Sequence, residues 1–111
     1  MSTAKERLDA IYEAYSQAYD RRSADMAAAT SDAQANKIQA NLNRLEAHYL
    51  DASTEALDAN GQAVEDAYDD AVAAQEKVDK AYEQAKGLAE KIRLVGSVVG
   101  KIGDLIDKAN G

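Results

Sequence analysis

The chain has 111 residues, of which 46% are hydrophobic and 30% are charged, and its formal net charge is −7. This length corresponds to a single domain, and the absence of cysteine excludes disulfides and thiolate metal ligands. Alanine accounts for 24 residues, whereas Leu, Ile and Val together number only 19. Such a composition approaches that of a disordered chain. The large apolar residues nevertheless recur at regular intervals, and this regularity predicts a folded, all-α protein.

The first predicted helix begins near Thr3. Thr3 and Glu6 match the capping box, in which each side chain accepts a hydrogen bond from the backbone N–H of the other residue. Large residues then alternate at intervals of four and three, which is the spacing of a heptad seam that faces one partner helix. The members of this seam are Leu8, Tyr12, Tyr15, Tyr19, Arg22 and Met26. We interpret its tyrosines as the bulk of a core that has few other large side chains.

A second seam is out of phase with the first and comprises Ile38, Leu42, Leu45, Tyr49, Ala52 and Ala56. Between the two seams, Ser31 and Gln34 match a second capping box, which predicts a helix break near residue 30. One continuous helix over about 4–59 is the alternative, since no glycine or proline enforces the break. Asn60 and Gly61 tolerate the left-handed conformation, so residues 58–61 are predicted to end a helix and reverse the chain.

The longest seam follows this turn and comprises Val64, Tyr68, Ala71, Gln75, Val78, Tyr82, Ala85, Ala89 and Ile92. It passes Gly87 without a change of phase, so we interpret Gly87 as a soft point inside one helix. The sequence therefore predicts a single helical domain over residues 1–111. Its expected fold is an antiparallel bundle of about three helices with coiled-coil-like heptad seams, and the alternative is a long two-helix hairpin.

Residues 92–109 form a distinct, glycine-containing amphipathic segment. On a helical wheel its aliphatic residues share an arc of about 160°, and its glycines align along one edge of that arc. An arc this wide must be buried within the bundle, against a second copy of the chain, or at a membrane surface. The candidate interaction residues are Val95, Gly96, Val99, Gly100, Ile102, Gly103 and Ile106.

Negative charge is concentrated in residues 45–76, which contain nine acidic residues and neither Lys nor Arg. If the chain reverses at 58–61, these carboxylates gather at one end of the molecule. The candidate acidic patch comprises Asp58, Glu65, Asp66, Asp69 and Asp70. Such a patch either keeps the protein in solution or docks a basic partner, and it repels nucleic acid.

The sequence offers little for catalysis. His48 is the only histidine, and no Glu stands three residues before it as the di-iron bundles require. The chain also lacks a predicted strand that could precede a glycine-rich phosphate loop. We therefore expect no enzyme activity, no cofactor and no metal site.

These features favour a non-catalytic helical interaction or structural protein that assembles through its heptad seams and C-terminal apolar face. The partner is another protein or a second copy, and a homo-oligomer is expected because small domains with few aliphatic residues bury little surface alone. The alternative is a membrane-active or secreted component whose C-terminal helix engages lipid or an apolar receptor. A cytoplasmic location is expected, because no signal peptide or membrane span is visible, with leaderless secretion or a phage particle left open.

Overall fold

The chain folds into four α-helices joined by short connections, in a computed structural model that describes residues Met1–Gly111. The helices are α1 (Ala4–Ala28), α2 (Asp32–Ser53), α3 (Gln62–Glu83) and α4 (Leu88–Ala109). The prediction of an all-α bundle is confirmed. The expected number of about three helices is too low, and the two-helix hairpin is wrong. None of the four helices has the length and apolarity needed to cross a membrane.

Local capping interactions place the starts of α1 and α2 where the sequence predicts them. Thr3 Oγ1 accepts a hydrogen bond from the Glu6 backbone N–H at 3.1 Å, and the Thr3 N–H donates to Glu6 Oε1 at 3.0 Å. Ser31 Oγ accepts from the Gln34 N–H at 3.2 Å, so Ser31 is the N-cap of α2. The break near residue 30 is therefore confirmed. The second hydrogen bond of this cap differs from that of a capping box, because the Gln34 side-chain oxygen accepts from the N–H of Thr30 and not from that of Ser31.

The ends of α2 and α3 differ from the prediction. α2 ends at Ser53, and residues 54–61 then cross one end of the bundle before α3 begins. Gly61 makes the final turn of this crossover with φ 125°, a conformation that glycine adopts without strain. α3 ends at Glu83, so the prediction of one helix passing through Gly87 is wrong, and Gly87 instead precedes α4.

Ala85 reverses the chain between α3 and α4, with a left-handed φ of 52°. The N–H of Lys86 donates to the Ala81 carbonyl at 2.9 Å, and the N–H of Ala85 donates to the Tyr82 carbonyl at 3.2 Å. These are the hydrogen bonds of a Schellman motif, which satisfies the last carbonyls of a helix. Because glycine usually occupies this position, the residues here carry no local signal for the turn.

The four helices form two antiparallel hairpins, α1–α2 and α3–α4, which pack side by side. α2 lies against α4, α1 contacts both α3 and α4, and α2 and α3 occupy opposite corners. The crossover 54–61 joins those corners beneath the end of α4, where the Ala59 N–H donates to the Ala109 carbonyl at 2.9 Å. The molecule measures 44 × 25 × 18 Å.

Small and aliphatic side chains fill the core. Its most buried apolar members are Ile11, Ala14, Leu45, Ala52, Leu57, Val64, Ala71, Val78, Ala81, Val98, Ile102, Leu105 and Ala109. Tyr12 and Tyr19 are exposed, so the interpretation of tyrosine as core bulk is wrong for these two. The other four tyrosines are half-buried and pack against the core, namely Tyr15, Tyr49, Tyr68 and Tyr82. Alanine at the helix contacts brings the backbones close together, and the remaining space suits Val, Ile and Leu.

The inward side of α1 is a different stripe from the seam that the sequence predicts. Arg7, Ile11 and Ala14 are buried. Ala18 and Arg21 continue the same stripe and are half-buried. This stripe has the same spacing of four and three residues, but it begins one residue earlier. The tyrosine seam of α1 therefore lies along the groove between α1 and α2. Tyr12 and Tyr19 are exposed there, whereas Leu8 and Tyr15 are half-buried against the core.

Candidate interaction surfaces

The apolar arc of the C-terminal segment is used inside the monomer. Val99, Ile102 and Ile106 are buried in the core, and Val95 is half-buried against it. α4 can bury so wide an arc because it contacts α1, α2 and α3. The structure thus removes Val99, Ile102 and Ile106 from the surface and leaves Val95 partly exposed.

The three glycines of the segment lie along the contact with α2. A Cβ at Gly103 would meet the His48 imidazole at 3.4 Å, and one at Gly96 would meet Asn41 Oδ1 at 3.9 Å. Nothing lies within 4 Å of the corresponding position at Gly100. Polar residues of α2 are therefore the neighbours of Gly96 and Gly103, and Gly96 and Gly100 are exposed.

The five residues of the acidic patch have different surroundings. Glu65 forms an ion pair with the buried Arg7 guanidinium at 2.9 Å and accepts from the Ser2 N–H at 2.6 Å. These two interactions hold the pKa of Glu65 below its usual value, the Ser2 hydrogen bond being the larger cause. Asp66 accepts from Gln62, whereas Asp58, Asp69 and Asp70 are simply exposed. Glu65 is thus part of the fold, and the other four carboxylates are on the surface.

The largest aromatic surface lies on the outside of the α1–α2 hairpin, and sequence reasoning assigned its residues to the core. It consists of Tyr12, Tyr15, Tyr19 and Tyr49, here called the tyrosine face. The Tyr15 and Tyr49 rings stack with centroids 5.7 Å apart, and Tyr12 packs against Tyr49 at 5.1 Å. Tyr12 is 48% exposed and Tyr19 is 62% exposed. The regular spacing of the α1 tyrosines indicates that they share one side of the helix, but spacing alone does not show whether that side faces inward.

The edge of the tyrosine face is polar. Tyr15 Oη donates to the Glu46 carboxylate at 3.3 Å. Partial burial, together with the nearby negative charge of Glu46, raises the pKa of Tyr15. Tyr15 is therefore an uncharged phenol at neutral pH, and the face presents both apolar rings and hydrogen-bonding hydroxyls.

Between the helices, at the end where α3 turns into α4, a cavity of about 30 Å³ has room for little more than water. Tyr82 lies at this end, where its hydroxyl donates to Asp25 at 2.5 Å and its ring packs between Arg21 and Lys91. Burial and the Asp25 carboxylate raise the pKa of Tyr82 well above its usual value. The cluster joins α1 to α3 and α4, so its role is to hold the helices together.

No group of three or more His, Cys, Asp or Glu side chains is arranged to hold a metal ion. Every buried side-chain nitrogen and oxygen has a hydrogen-bond partner. Comparison of the chain with protein-family descriptions, with curated proteins and with solved structures finds no match.

Proposed function

We propose that the protein is a non-catalytic helical interaction protein that assembles with a second copy of itself through the tyrosine face. The observation that carries this proposal is the exposure of Tyr12 and Tyr19 beside two further stacked tyrosines. Tyrosine is enriched at protein interfaces, because its rigid ring covers much apolar area at a small cost in side-chain entropy. The C-terminal apolar face is buried in the core of the monomer, so it does not form the proposed interface.

Charge favours a second copy at this hairpin over the side formed by α3. α1 contains five acidic and four basic residues and α2 contains three and two, whereas α3 contains seven acidic and two basic residues. Two copies that each carry a net charge of −7 repel each other. This repulsion is weaker on the α1–α2 side, where the local charges nearly cancel, than over the acidic helix α3.

The dimensions of the hairpin suit a dimer contact. Helices of 22 and 25 residues are about 33–37 Å long and pack about 8–10 Å apart, which makes the outer side of the pair roughly 700 Å². A stable interface buries about 800 Å² per partner. A twofold contact uses the same patch on both copies, so the tyrosines of one copy would pack against those of the other.

The test is the molar mass of the parent and of the Tyr12→Glu/Tyr19→Glu variant, measured by sedimentation equilibrium over a range of concentrations. The parent is expected to have twice the chain mass of 11.9 kDa, and the variant is expected to have the mass of one chain. Circular dichroism of both proteins checks that the fold is intact, which is expected because both tyrosines are exposed.

The matched control is Ala24→Glu/Ala28→Glu, which adds the same charge at exposed positions of the same helix. These positions project about 150° around α1 from Tyr12 and Tyr19, so the control is expected to dimerise like the parent. A parent that stays monomeric, or a control that dissociates equally, overturns the proposal. A monomer that co-sediments with anionic liposomes would instead favour the membrane-active alternative.

A further inference from the structure

A groove of about 380 Å³ runs along the surface between α2 and α4. Small residues open it, namely Ala40 on α2 and Ala89 and Gly96 on α4. Packing does not require a glycine at position 96, because a Cβ there would meet only Asn41 Oδ1, at 3.9 Å. The missing side chain does, however, leave the floor of the groove free.

The charged residues that line this groove are all basic. They are Lys37 and Arg44 on α2 and Arg93 on α4, and no acidic residue lines it although the chain contains 20. The only carboxylate paired with any of the three is Glu90, which is 3.9 Å from Arg93 on the exposed surface. A pair at that distance and exposure contributes little, so all three cations are available to a ligand.

The other arginines of the chain already have partners. Arg7 is bound to Glu65, Arg21 forms an ion pair with Asp79, and Arg22 donates to Gln39. Arg44 and Arg93 are thus the two arginines without a close partner, and both line the same groove. In a protein with a net charge of −7, this is a local reversal of sign.

The direction of the helices adds to the positive potential. Asn41 Nδ2 donates to the Ile92 carbonyl at 3.2 Å, and His48 lies against Gly103, so α2 and α4 run parallel. Their amino-terminal ends therefore lie at the same end of the groove, where the helix dipoles are positive. No side chain caps the first turn of α4.

We propose that this groove binds a small polyphosphate, such as a di- or triphosphate group. Arginine holds phosphate oxygens with two parallel N–H donors, and a phosphate chain can contact cations on both helices. Lys37 and Arg44 are seven residues apart, about 10.5 Å along α2, which is too far for one phosphate to bridge. No aromatic side chain lines the groove to stack a base, and the overall negative charge opposes a long nucleic acid.

The test is isothermal titration calorimetry of the parent with sodium tripolyphosphate, at constant ionic strength adjusted with NaCl. We expect saturable binding by the parent and weaker binding of orthophosphate, which contacts fewer cations. Arg44→Gln/Arg93→Gln is expected to weaken tripolyphosphate binding about 100-fold, or about tenfold for each arginine removed. The matched control is Lys80→Gln/Lys86→Gln, which removes two exposed charges outside the groove. It is expected to change the affinity less than threefold.

Gly96→Leu tests the shape of the groove without changing its charge. Position 96 is exposed, so the variant is expected to fold, and the leucine should block the floor and weaken binding at least tenfold. The absence of saturable binding by the parent would overturn the proposal. Equal weakening by the lysine control, or unchanged binding by both the arginine pair and Gly96→Leu, would also overturn it. The proposed dimer does not enter these outcomes, because its tyrosines lie on α1 and on the other side of α2.

Discussion

Arg7 is the only charged side chain that the fold buries, with 1% of its surface exposed. Its guanidinium donates to the carbonyls of Leu57 and Ala59 at 2.7 and 2.9 Å and to the Glu65 carboxylate at 2.9 Å. One side chain thereby ties the first turns of α1 and α3 to the crossover 54–61. Leu57 itself is buried with a φ of 53°, a strained conformation that these bonds help to hold.

Arg7→Lys is expected to lower the free energy of unfolding by about 3 kcal/mol, because an ammonium group cannot reproduce the planar set of donors and leaves buried carbonyls unpaired. Chemical denaturation would measure this loss. Arg22→Lys is the matched control, since Arg22 is exposed and has one hydrogen bond. It should change stability by less than about 0.5 kcal/mol. An equal, small effect of both substitutions would show that Arg7 does not anchor the crossover.

The interactions of Glu65 predict a specific loss of stability in acid. The Ser2 N–H and Arg7 lower the pKa of Glu65 from its ordinary value of 4.5, so the unfolded chain binds this proton more readily than the native protein. The resulting stability is present above pH 4.5 and is lost as the pH falls through the lower native pKa. Glu65→Gln should be less stable than the parent at neutral pH, and the difference should shrink in acid. Denaturation midpoints measured from neutral pH downward would test this, and parallel curves would contradict it.

At the scale of the helix, α1 contains two candidate seams whose spacing is identical. One begins with Arg7, Ile11 and Ala14, and the other contains the large residues Tyr12 and Tyr19. Size alone favours the tyrosines, yet the fold buries the smaller set. Each tyrosine hydroxyl is best placed where water can reach it, and alanine permits the close approach that the Ile11 side chain needs.

The turn between α3 and α4 predicts a stabilising substitution. Ala85 has a left-handed φ of 52°, which costs an L-residue about 1–2 kcal/mol and costs glycine nothing. Ala85→Gly should therefore raise the free energy of unfolding by up to about 1 kcal/mol, after the greater entropy of glycine in the unfolded chain is subtracted. Ala73→Gly, at an exposed position within α3, should instead lower it by about 1 kcal/mol. Thermal denaturation would measure both, and a loss of stability in Ala85→Gly would contradict the strained turn.

At the scale of the molecule, the charge is distributed unevenly and few ion pairs offset it. The structure contains four salt bridges, and only that of Arg7 with Glu65 involves a buried side chain. Seven of the 20 acidic residues lie on α3. Repulsion between exposed carboxylates therefore opposes the compact state.

Raising the NaCl concentration from about 0.01 M to about 0.15 M should raise the midpoint of thermal unfolding, because the screening length falls from about 30 Å to about 8 Å. Asp69→Asn/Asp70→Asn removes two exposed charges of α3 and should reduce this dependence on salt. Circular dichroism at 222 nm would follow both transitions. A midpoint that falls as salt is added would mean that attractive ion pairs dominate instead.

Local chemistry sets the helical class and the starts of α1 and α2, and both are predictable from the sequence. Strong helix formers dominate the chain, and the caps at Thr3 and Ser31 act between residues three apart, so they need no tertiary partner. The spacing of Ile38, Leu42, Leu45 and Ala52 also identified the buried side of α2, since there the large residues are aliphatic.

Contacts between helices select the seam of α1 that faces inward, end α3 at Glu83 and place the apolar arc of α4 in the core. Each of these depends on a partner distant in sequence. Arg7 is buried because the carbonyls of the crossover accept its hydrogen bonds. Ala85 adopts its left-handed conformation because α3 and α4 pack against each other. The lining of the groove between α2 and α4 likewise depends on tertiary packing, because two parallel helices bring Arg44 and Arg93 to the same groove. Periodicity reports the spacing of side chains along one helix, whereas packing selects the side that another helix covers.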